Sequence, residues 1–152
     1  GSGGVGSAIA ASLAAAGVTR IDLFDLNPGA AEGLRDRLLA AYPALHVRVG
    51  ERDPAGIDLV VNATPLGMEP GDALPLDVSR LDASTFVGEV VMRERVTPFL
   101  RAALARCCRV QVGTDMLFEQ IPAYLEFFGL PTASAERLRE LATLDTPKGN
   151  KP

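Results

Sequence analysis

The sequence predicts an α/β fold, a doubly wound parallel sheet with helices on both faces. Short segments that are apolar throughout, or that alternate apolar and polar residues, are followed in turn by longer segments of helical periodicity, as in βαβ units. A glycine-rich stretch opens the first helix, and an acid ends the strand that follows it. The length of 152 residues and the hydrophobic content of 47% suit one domain with a sizeable core.

The stretch Gly1-Ser2-Gly3-Gly4-Val5-Gly6 fits G-x-G-x-x-G, the phosphate-binding turn of a Rossmann-like unit. Gly1 allows a tight turn, Gly3 lets the backbone approach a pyrophosphate, and Gly6 lets the helix pack closely. The pyrophosphate lies at the helix N-terminus, where unpaired amides favour negative charge. A linker is the alternative for GSGG, but the helix, strand and acid that follow argue against it. Such a turn needs a strand before it, so we expect a first strand that is missing from this chain.

The first third of the chain predicts two helices and two strands. Gly17 ends the first helix, Pro28 suits the first position of the second helix, and Pro43 stops it. His46, the only histidine, is expected to face solvent in an alternating strand. The predicted elements are helix Val5–Ala16, strand Ile21–Asp25, a helix from Asn27-Pro28 with the stripe Ala31, Leu34, Leu38 and Leu39, and strand Leu45–Val49.

The remainder of the chain continues the alternation. The run Ile57–Val61 is continuously apolar, which predicts a strand covered on both faces. Leu100 and Leu104 are expected to face inward from one helix, and Pro122 is expected to kink another. The other elements are strand Thr85–Val91, helix Thr97–Arg106, a strand through Val110 and Val112 that ends at Gly113, helix Thr114–Phe128 with the stripe Met116, Leu117, Ile121, Leu125 and Phe128, and helix Ala135–Leu144. These elements predict one domain over residues 1–144 and a disordered tail over 145–152.

Composition excludes several classes of function. The net charge of −4 gives no basic surface for nucleic acid, and no apolar run approaches 18 residues, so no membrane span is predicted. A single histidine disfavours a catalytic triad and a histidine metal cluster, and no metal site is predicted. The adjacent Cys107 and Cys108 indicate buried or half-buried free thiols in a reducing compartment, which favours a cytoplasmic location.

Three motifs occur in order along residues 1–144: Gly1–Gly6, Asn62-Ala63-Thr64-Pro65-Leu66-Gly67-Met68, and Gly113-Thr114-Asp115-Met116-Leu117-Phe118-Glu119-Gln120. They are similar to the GAGG(A/V)G, NATP(x)GM and GxxML(x)xQ motifs in the nucleotide-binding domain of shikimate dehydrogenases, including the quinate/shikimate dehydrogenases. Val90-Val91 and Thr97-Pro98-Phe99-Leu100 match that family's VVYxPxxTPLL segment in part. Together the motifs are far more specific than the glycine turn alone.

The resemblance implies an NAD(P)-dependent oxidoreductase of aromatic amino acid biosynthesis. It would transfer a hydride reversibly between a nicotinamide and the C3 hydroxyl or ketone of shikimate. The family's catalytic Lys and Asp lie in a separate N-terminal substrate domain that no stretch here matches, so we assign no catalytic residue. By resemblance, cofactor binding falls to Gly1, Ser2, Gly3, Gly4, Val5, Gly6, Asn62, Ala63, Thr64, Val90, Gly113 and Met116, and substrate binding to Met92 and Gln120.

Three of these residues have alternative explanations that do not involve a cofactor or a substrate. Asn62-Ala63-Thr64 is also a glycosylation acceptor sequence, although a cytosolic Rossmann context disfavours that role. Met116 has the helical spacing of a core residue, and a role at the cofactor is about as well supported as a core role. Without the motif, Gln120 would be interpreted as a solvent-exposed helix residue. Only the match to the motif makes it a candidate for substrate binding.

The segment Asp25-Leu26-Asn27 indicates which nicotinamide cofactor is bound. Family members that use NADP carry Asn-Arg-(Ser/Thr) after the second strand, where the Arg meets the 2′-phosphate. A carboxylate at Asp25 accepts hydrogen bonds from a ribose 2′-OH and repels a 2′-phosphate, while Leu26 offers no positive charge. We therefore predict NAD in preference to NADP, with Asp25, Leu26 and Asn27 among the cofactor-binding residues. The alternative is that Asp25 only caps the turn before Asn27-Pro28.

Two departures from the family leave the substrate open. Met92 stands in place of the family tyrosine, and Glu94 in place of a proline. Because methionine cannot donate a hydrogen bond to a substrate hydroxyl, a shikimate dehydrogenase-like paralogue is one alternative. A non-catalytic NAD-binding module is another. The glycine turn also serves glutamyl-tRNA reductases and methylene-tetrahydrofolate dehydrogenases, but residues 113–120 favour the shikimate group. The oligomeric state, a homodimer included, stays open.

Overall fold

The computed structural model describes residues 1–142, which belong to two compact units. The first comprises residues 1–113 and the second begins at Thr114. The tail predicted over 145–152 lies outside the described residues. In chain order the elements are α1 (Gly4–Ala15), β1 (Arg20–Leu23), α2 (Pro28–Ala41), β2 (His46–Val49), β3 (Leu59–Asn62), a 3₁₀ turn (Val78–Arg80), β4 (Phe86–Glu89), α3 (Pro98–Ala105), β5 (Arg109–Gln111), α4 (Gly113–Phe127) and α5 (Ala135–Leu141).

The paired strands are all parallel, but they form two sheets rather than one. β1 pairs with β2, while β4 lies between β3 and β5, with Val87 opposite both Val60 and Val110. A cleft of about 630 Å³ is lined by β1, β3 and α1. In the strand order of a Rossmann sheet, the first strand lies between the positions of β1 and β3. The α/β class and the Rossmann-like fold are confirmed, whereas one continuous sheet is not observed among residues 1–142.

The first core forms where α1 and α2 pack on the β1–β2 sheet. Gly17 follows α1 with a φ of +90°, as expected for the residue that ends the helix. Pro28 begins α2, and His46 is exposed, both as predicted. The predicted stripe of α2 is also confirmed, although Leu39 is only half-buried. The buried residues of the core are Ala10, Ala14, Leu23, Ala31, Leu34, Leu38 and Leu45.

The second core forms where α3 packs on β4 and β5. Thr97 caps α3, since its hydroxyl accepts a hydrogen bond from the Leu100 amide. Leu100 is fully buried as predicted, but the inward orientation predicted for Leu104 is wrong, because its side chain is 47% exposed. Ala103 lies three residues after Leu100 and faces the core instead, so the buried face of the helix passes through Phe99, Leu100 and Ala103.

Strand β3 is less buried than its apolar sequence predicts. Residues 59–61 are half-buried, so the prediction of cover on both faces is wrong for them. The reason is that β3 pairs only with β4, and its other edge faces the cleft. A continuous apolar run is typical of a strand covered by helices on both faces, and the open edge of β3 leaves part of its side chains uncovered.

The second unit contains α4 and α5. Pro122 lies inside α4, which continues through it, and Gly129 follows the helix with a φ of +67°. The predicted stripe is only partly buried, since Leu117 and Phe128 are exposed. Arg139 of α5 connects the two helices through Glu119 of α4, with 2.7 Å between their charged atoms.

The two cysteines are free, but their burial differs. Cys108 is buried, its thiol donates to the Asp82 carbonyl, and burial raises the pKa of that thiol. The predicted burial is wrong for Cys107, which is exposed after α3 with a φ of 64°. Within residues 1–142 no helix is long and apolar enough to cross a membrane, and no three acidic, cysteine or histidine residues form a group able to hold a metal ion.

Candidate functional site

The glycine turn packs directly against the turn that follows β3. A Cβ on Gly1 would lie 2.6 Å from the Ala63 carbonyl oxygen, and a Cβ on Gly6 would collide with the Gly1 carbonyl. The Gly1 nitrogen donates to the Phe24 carbonyl over 2.8 Å. Glycine is therefore required at Gly6 for close packing, as predicted, and at Gly1 because the turn after β3 approaches it closely, a reason that the motif does not give.

The start of α1 offers donors to an anionic group. Its N-cap is Gly3, which has no side chain to bond the first helical amides, and a Cβ on Gly3 would meet nothing within 4 Å. Ser2 is buried, and its hydroxyl has no hydrogen-bond partner among the described residues. Gly4 and Val5 are exposed beside it. Open space and free amides at the helix N-terminus together suit a phosphate.

Asp25 is fixed by two backbone amides. The Ser2 amide donates to Oδ2 over 2.7 Å, and the Asn27 amide donates to Oδ1 over 2.8 Å. These two hydrogen bonds hold the pKa of the Asp25 carboxyl below its usual value, so the group is charged at neutral pH. The bond to Asn27 is the predicted turn cap, while the bond to Ser2 links the acid to the glycine turn. Leu26 is 86% exposed beside it.

The side chain of Asn62 uses its full hydrogen-bonding capacity within the chain. Its Nδ2 donates to the Leu66 carbonyl over 3.0 Å and to Glu89 Oε1 over 2.7 Å. Its Oδ1 accepts from the Thr64 amide over 3.1 Å and from the Thr64 hydroxyl over 2.6 Å. Asn62 is 3% exposed, which does not fit a glycosylation acceptor. Its direct contact with a cofactor stays a prediction, and its geometry favours a role in shaping the 62–66 turn.

Other predicted residues meet at the same edge of the three-stranded sheet. The Val90 amide donates to the Asn62 carbonyl over 3.2 Å, just beyond the ends of β3 and β4. A Cβ on Gly113 would collide with the Val91 carbonyl, so only glycine fits where α4 begins. Met92 follows Val91 in sequence and is 50% exposed. Asn62, Val90 and Gly113 are thus brought together, as expected for the carboxyl ends of parallel strands.

Two residues of this edge escaped the sequence analysis as site candidates. Glu89 ends β4, is 3% exposed, and lies opposite Asn62 in the strand register. Thr97, which caps α3, donates its hydroxyl proton to Glu89 Oε2. The signal that could have found them is an acid at the end of an apolar strand predicted to be buried, because such a carboxylate needs donors.

Met116 and Gln120 belong to α4 in the second unit. Met116 is half-buried, and Gln120 is exposed and accepts a hydrogen bond from the Tyr124 hydroxyl over 3.2 Å. Their assignment to cofactor and substrate stays a prediction.

The parallel α/β architecture, with a glycine turn before α1 and an acid after β1, defines the Rossmann class. No protein-family model matches the chain. It is 39% identical over 145 residues to the quinate/shikimate dehydrogenase (NAD(+)) of Corynebacterium efficiens, covering 91% of this chain and 51% of that protein. It is 33% identical over 149 residues to the shikimate dehydrogenase (NADP(+)) of Sinorhizobium medicae, covering 97% and 52%.

A solved structure agrees with these relatives. Quinate dehydrogenase from Corynebacterium glutamicum in complex with NAD superposes with a TM-score of 0.81 at 36% identity, covering 92% of this chain and 51% of that one. Over nine tenths or more of its length the chain is therefore similar to shikimate and quinate/shikimate dehydrogenases, as the three motifs predict. It spans about half the length of the curated relatives it matches.

Proposed function

We propose that this chain is the nucleotide-binding portion of a shikimate or quinate/shikimate dehydrogenase. Such an enzyme exchanges a hydride between a nicotinamide and the C3 hydroxyl or ketone of its substrate. The observation that carries the proposal is the junction of the glycine turn with the 62–66 turn and Asp25, through Gly1 and Ser2. Because the chain spans about half of its relatives, the proposal concerns how the cofactor is held, and no residue here is assigned to proton transfer.

The glycine turn has the chemistry to hold a dinucleotide. The amides at the start of α1 would face the pyrophosphate, and Gly3 leaves room for it. Asn62, Ala63, Thr64, Val90 and Gly113 would form the wall toward the nicotinamide end, at the carboxyl ends of β3 and β4. When bound, the nicotinamide accepts or releases the hydride, and the part of these residues is to orient it.

NAD is the proposed cofactor in preference to NADP. The charged carboxylate of Asp25, fixed by Ser2 and Asn27, can still accept a hydrogen bond at each oxygen and would repel a 2′-phosphate. The Corynebacterium efficiens relative, at 39% identity, is named for NAD(+), whereas the Sinorhizobium medicae relative, at 33%, is named for NADP(+). The higher sequence identity to the relative named for NAD(+) supports the proposed preference for NAD.

The proposed substrate is a small molecule of the shikimate and quinate class, with Met92 and Gln120 as binding residues. The exposed Met92 thioether cannot replace a tyrosine hydroxyl as a donor, so a related substrate is the second candidate. The free thiols support a cytoplasmic location, and the net charge of −4 argues against nucleic acid as a partner.

Calorimetric titration of NAD and NADP into the full-length product of the gene tests the proposal. We expect NAD to bind more tightly and to be reduced in the presence of shikimate or quinate. Binding without turnover on either compound would favour a changed substrate or a non-catalytic module. If neither nucleotide binds, the proposal is wrong.

The role of Asp25 is tested by the double variant Asp25→Ala with Leu26→Arg. We expect the ratio of NADP affinity to NAD affinity to rise by about tenfold or more, because a repelling charge is replaced by an attracting one. Asp36→Ala removes an exposed carboxylate from α2 and is the control, which should leave the ratio unchanged. An unchanged ratio in the double variant would reject the assignment of Asp25.

A further inference from the structure

Glu89 is a buried carboxylate that forms no ion pair with any residue of the described chain. It is 3% exposed, and its oxygens accept hydrogen bonds from the Asn62 amide and the Thr97 hydroxyl. Burying a charge with only neutral donors is costly, and such groups are retained where every donor and acceptor is used. Glu89 therefore needs an explanation beyond filling space.

The bonds of Glu89 join two segments that are distant in sequence. Through Asn62 it reaches the 62–66 turn, and through Thr97 it reaches the cap of α3, whose hydroxyl accepts from the Leu100 amide over 3.2 Å. Asn62 and Glu89 lie directly opposite each other in the β3–β4 register. The carboxylate thus connects the sheet edge to the start of α3.

Glu89 helps to fix the orientation of the Asn62 amide. Its carboxylate accepts from Nδ2, as the Leu66 carbonyl also does, so that Oδ1 is turned toward Thr64 and accepts from both its amide and its hydroxyl. The Thr64 hydroxyl in turn accepts from the Leu66 amide over 3.2 Å. Ala63, within this turn, contacts Gly1 of the glycine turn. Hydrogen bonds therefore run from Glu89 to the 62–66 turn, and this turn packs against the glycine turn at the edge where a dinucleotide would lie.

We propose that Glu89 is a positioning residue, whose buried carboxylate sets the Asn62 amide and so holds the 62–66 turn in the conformation that receives the nicotinamide dinucleotide. The inference rests on the proposed function for its ligand, and on the hydrogen bonds alone for its effect on the turn. Glu89 acts through Asn62 and does not itself contact the cofactor.

The test compares Glu89→Ala with Thr85→Val in the full-length product of the gene. Thr85 is the matched control: it is 1% exposed, precedes the same strand at its opposite end, and donates its hydroxyl to the Ile57 carbonyl over 2.9 Å. Both variants remove a buried hydrogen-bonding group, so both should lower the urea midpoint. Only Glu89→Ala should raise the dissociation constant for NAD, by about tenfold.

Two further measurements separate positioning from general destabilisation. Amide hydrogen exchange at Thr64 and Leu66 should accelerate by about tenfold or more in Glu89→Ala and stay unchanged in Thr85→Val. In a double-mutant cycle with Asn62→Ala, the double variant should bind NAD no more weakly than Asn62→Ala alone, since Glu89 acts through that residue. Glu89→Gln keeps an acceptor for Asn62 and should restore NAD affinity to within about threefold of the parent.

The outcomes are distinguishable. Unchanged exchange at Thr64 and Leu66 in Glu89→Ala overturns the inference whether or not a nucleotide binds. Accelerated exchange with an unchanged NAD dissociation constant, or additive effects in the cycle, also overturns it, because Glu89 would then be merely structural. If the unmodified protein binds neither nucleotide, it is the proposed function that fails, and the cofactor part of the inference fails with it.

Discussion

The two sheets of the first unit are built from similar parallel segments, yet their cores differ in depth. The six largest fully buried side chains lie between residues 81 and 100, around β4 and α3, and none comes from the β1–β2 sheet. β4 has a partner strand on each edge, whereas β1 and β2 have only each other. In this unit the deeper core therefore lies around the strand that has partners on both edges.

The two sheets also differ in the polar pair that crosses their strands. Asp22 of β1 lies opposite Arg48 of β2 and forms an ion pair with it at 2.7 Å, with the Arg48 side chain 55% exposed. Asn62 of β3 lies opposite Glu89 of β4, and both are buried. The exposed pair is screened by water and contributes little, while the buried pair costs most when one partner is lost.

The largest difference should appear when a buried leucine is removed from each core. We expect Leu100→Ala to lower the free energy of unfolding by about 4 kcal/mol and Leu34→Ala by about 2 to 3 kcal/mol, because the first core can relax toward the cleft. Urea unfolding of the 152-residue chain measures both. Leu104→Ala, at an exposed position, should cost under about 1 kcal/mol. Equal losses for Leu100 and Leu34 would remove the distinction between the cores.

A strand placed in the cleft should reduce the contrast between the sheets. We expect an extension before Gly1 by a short apolar strand to raise the free energy of unfolding by at least about 2 kcal/mol. It would pair with the free edges of β1 and β3 and cover the apolar walls between them. A Gly/Ser extension of equal length is the control. Identical urea midpoints for the two extended chains would contradict the expectation.

The smallest effect should be the acid sensitivity of the β1–β2 sheet. Hydrogen bonds from Arg20 and Arg48 hold the pKa of the Asp22 carboxyl well below its usual range. A carboxyl with a lowered folded pKa stabilises the fold above its unfolded pKa of about 4, and this stability is lost as pH falls further. Asp22→Asn should therefore lower stability by about 1 kcal/mol or less at pH 7 and by less near pH 3. If the stability lost in Asp22→Asn were larger near pH 3 than at pH 7, the expected pH dependence would be wrong.

Much of the fold could be predicted from local sequence, because caps and periodicity act within a few residues. Gly17, Pro28 and Thr97 mark element ends that the structure reproduces within a residue or two. Leu104 was misplaced because the helical stripe of α3 is narrow, and Phe99 and Ala103 complete it. The division into two sheets could not be predicted from local periodicity, since it depends on which strands meet across the chain.

The residues of the candidate site likewise fall into those that the sequence predicts and those that only the structure reveals. The glycine turn and Asp25 could be predicted because their spacing along the chain carries the chemistry. For Glu89 the sequence offers only the signal of an acid at the end of an apolar strand, while its partner Asn62, 27 positions away in sequence, is identified by the structure alone. Likewise, the sequence predicts Asn62 to lie toward the cofactor, while the structure shows that its amide is used in full by its own turn and by Glu89.

The saturated Asn62 amide has a thermodynamic consequence for any ligand that docks on the 62–66 turn. A turn closed by its own side-chain bonds has already lost its conformational entropy on folding, so little ordering remains to oppose association. Binding at this edge would then proceed with a small entropic penalty and a rate set by encounter rather than by loop rearrangement.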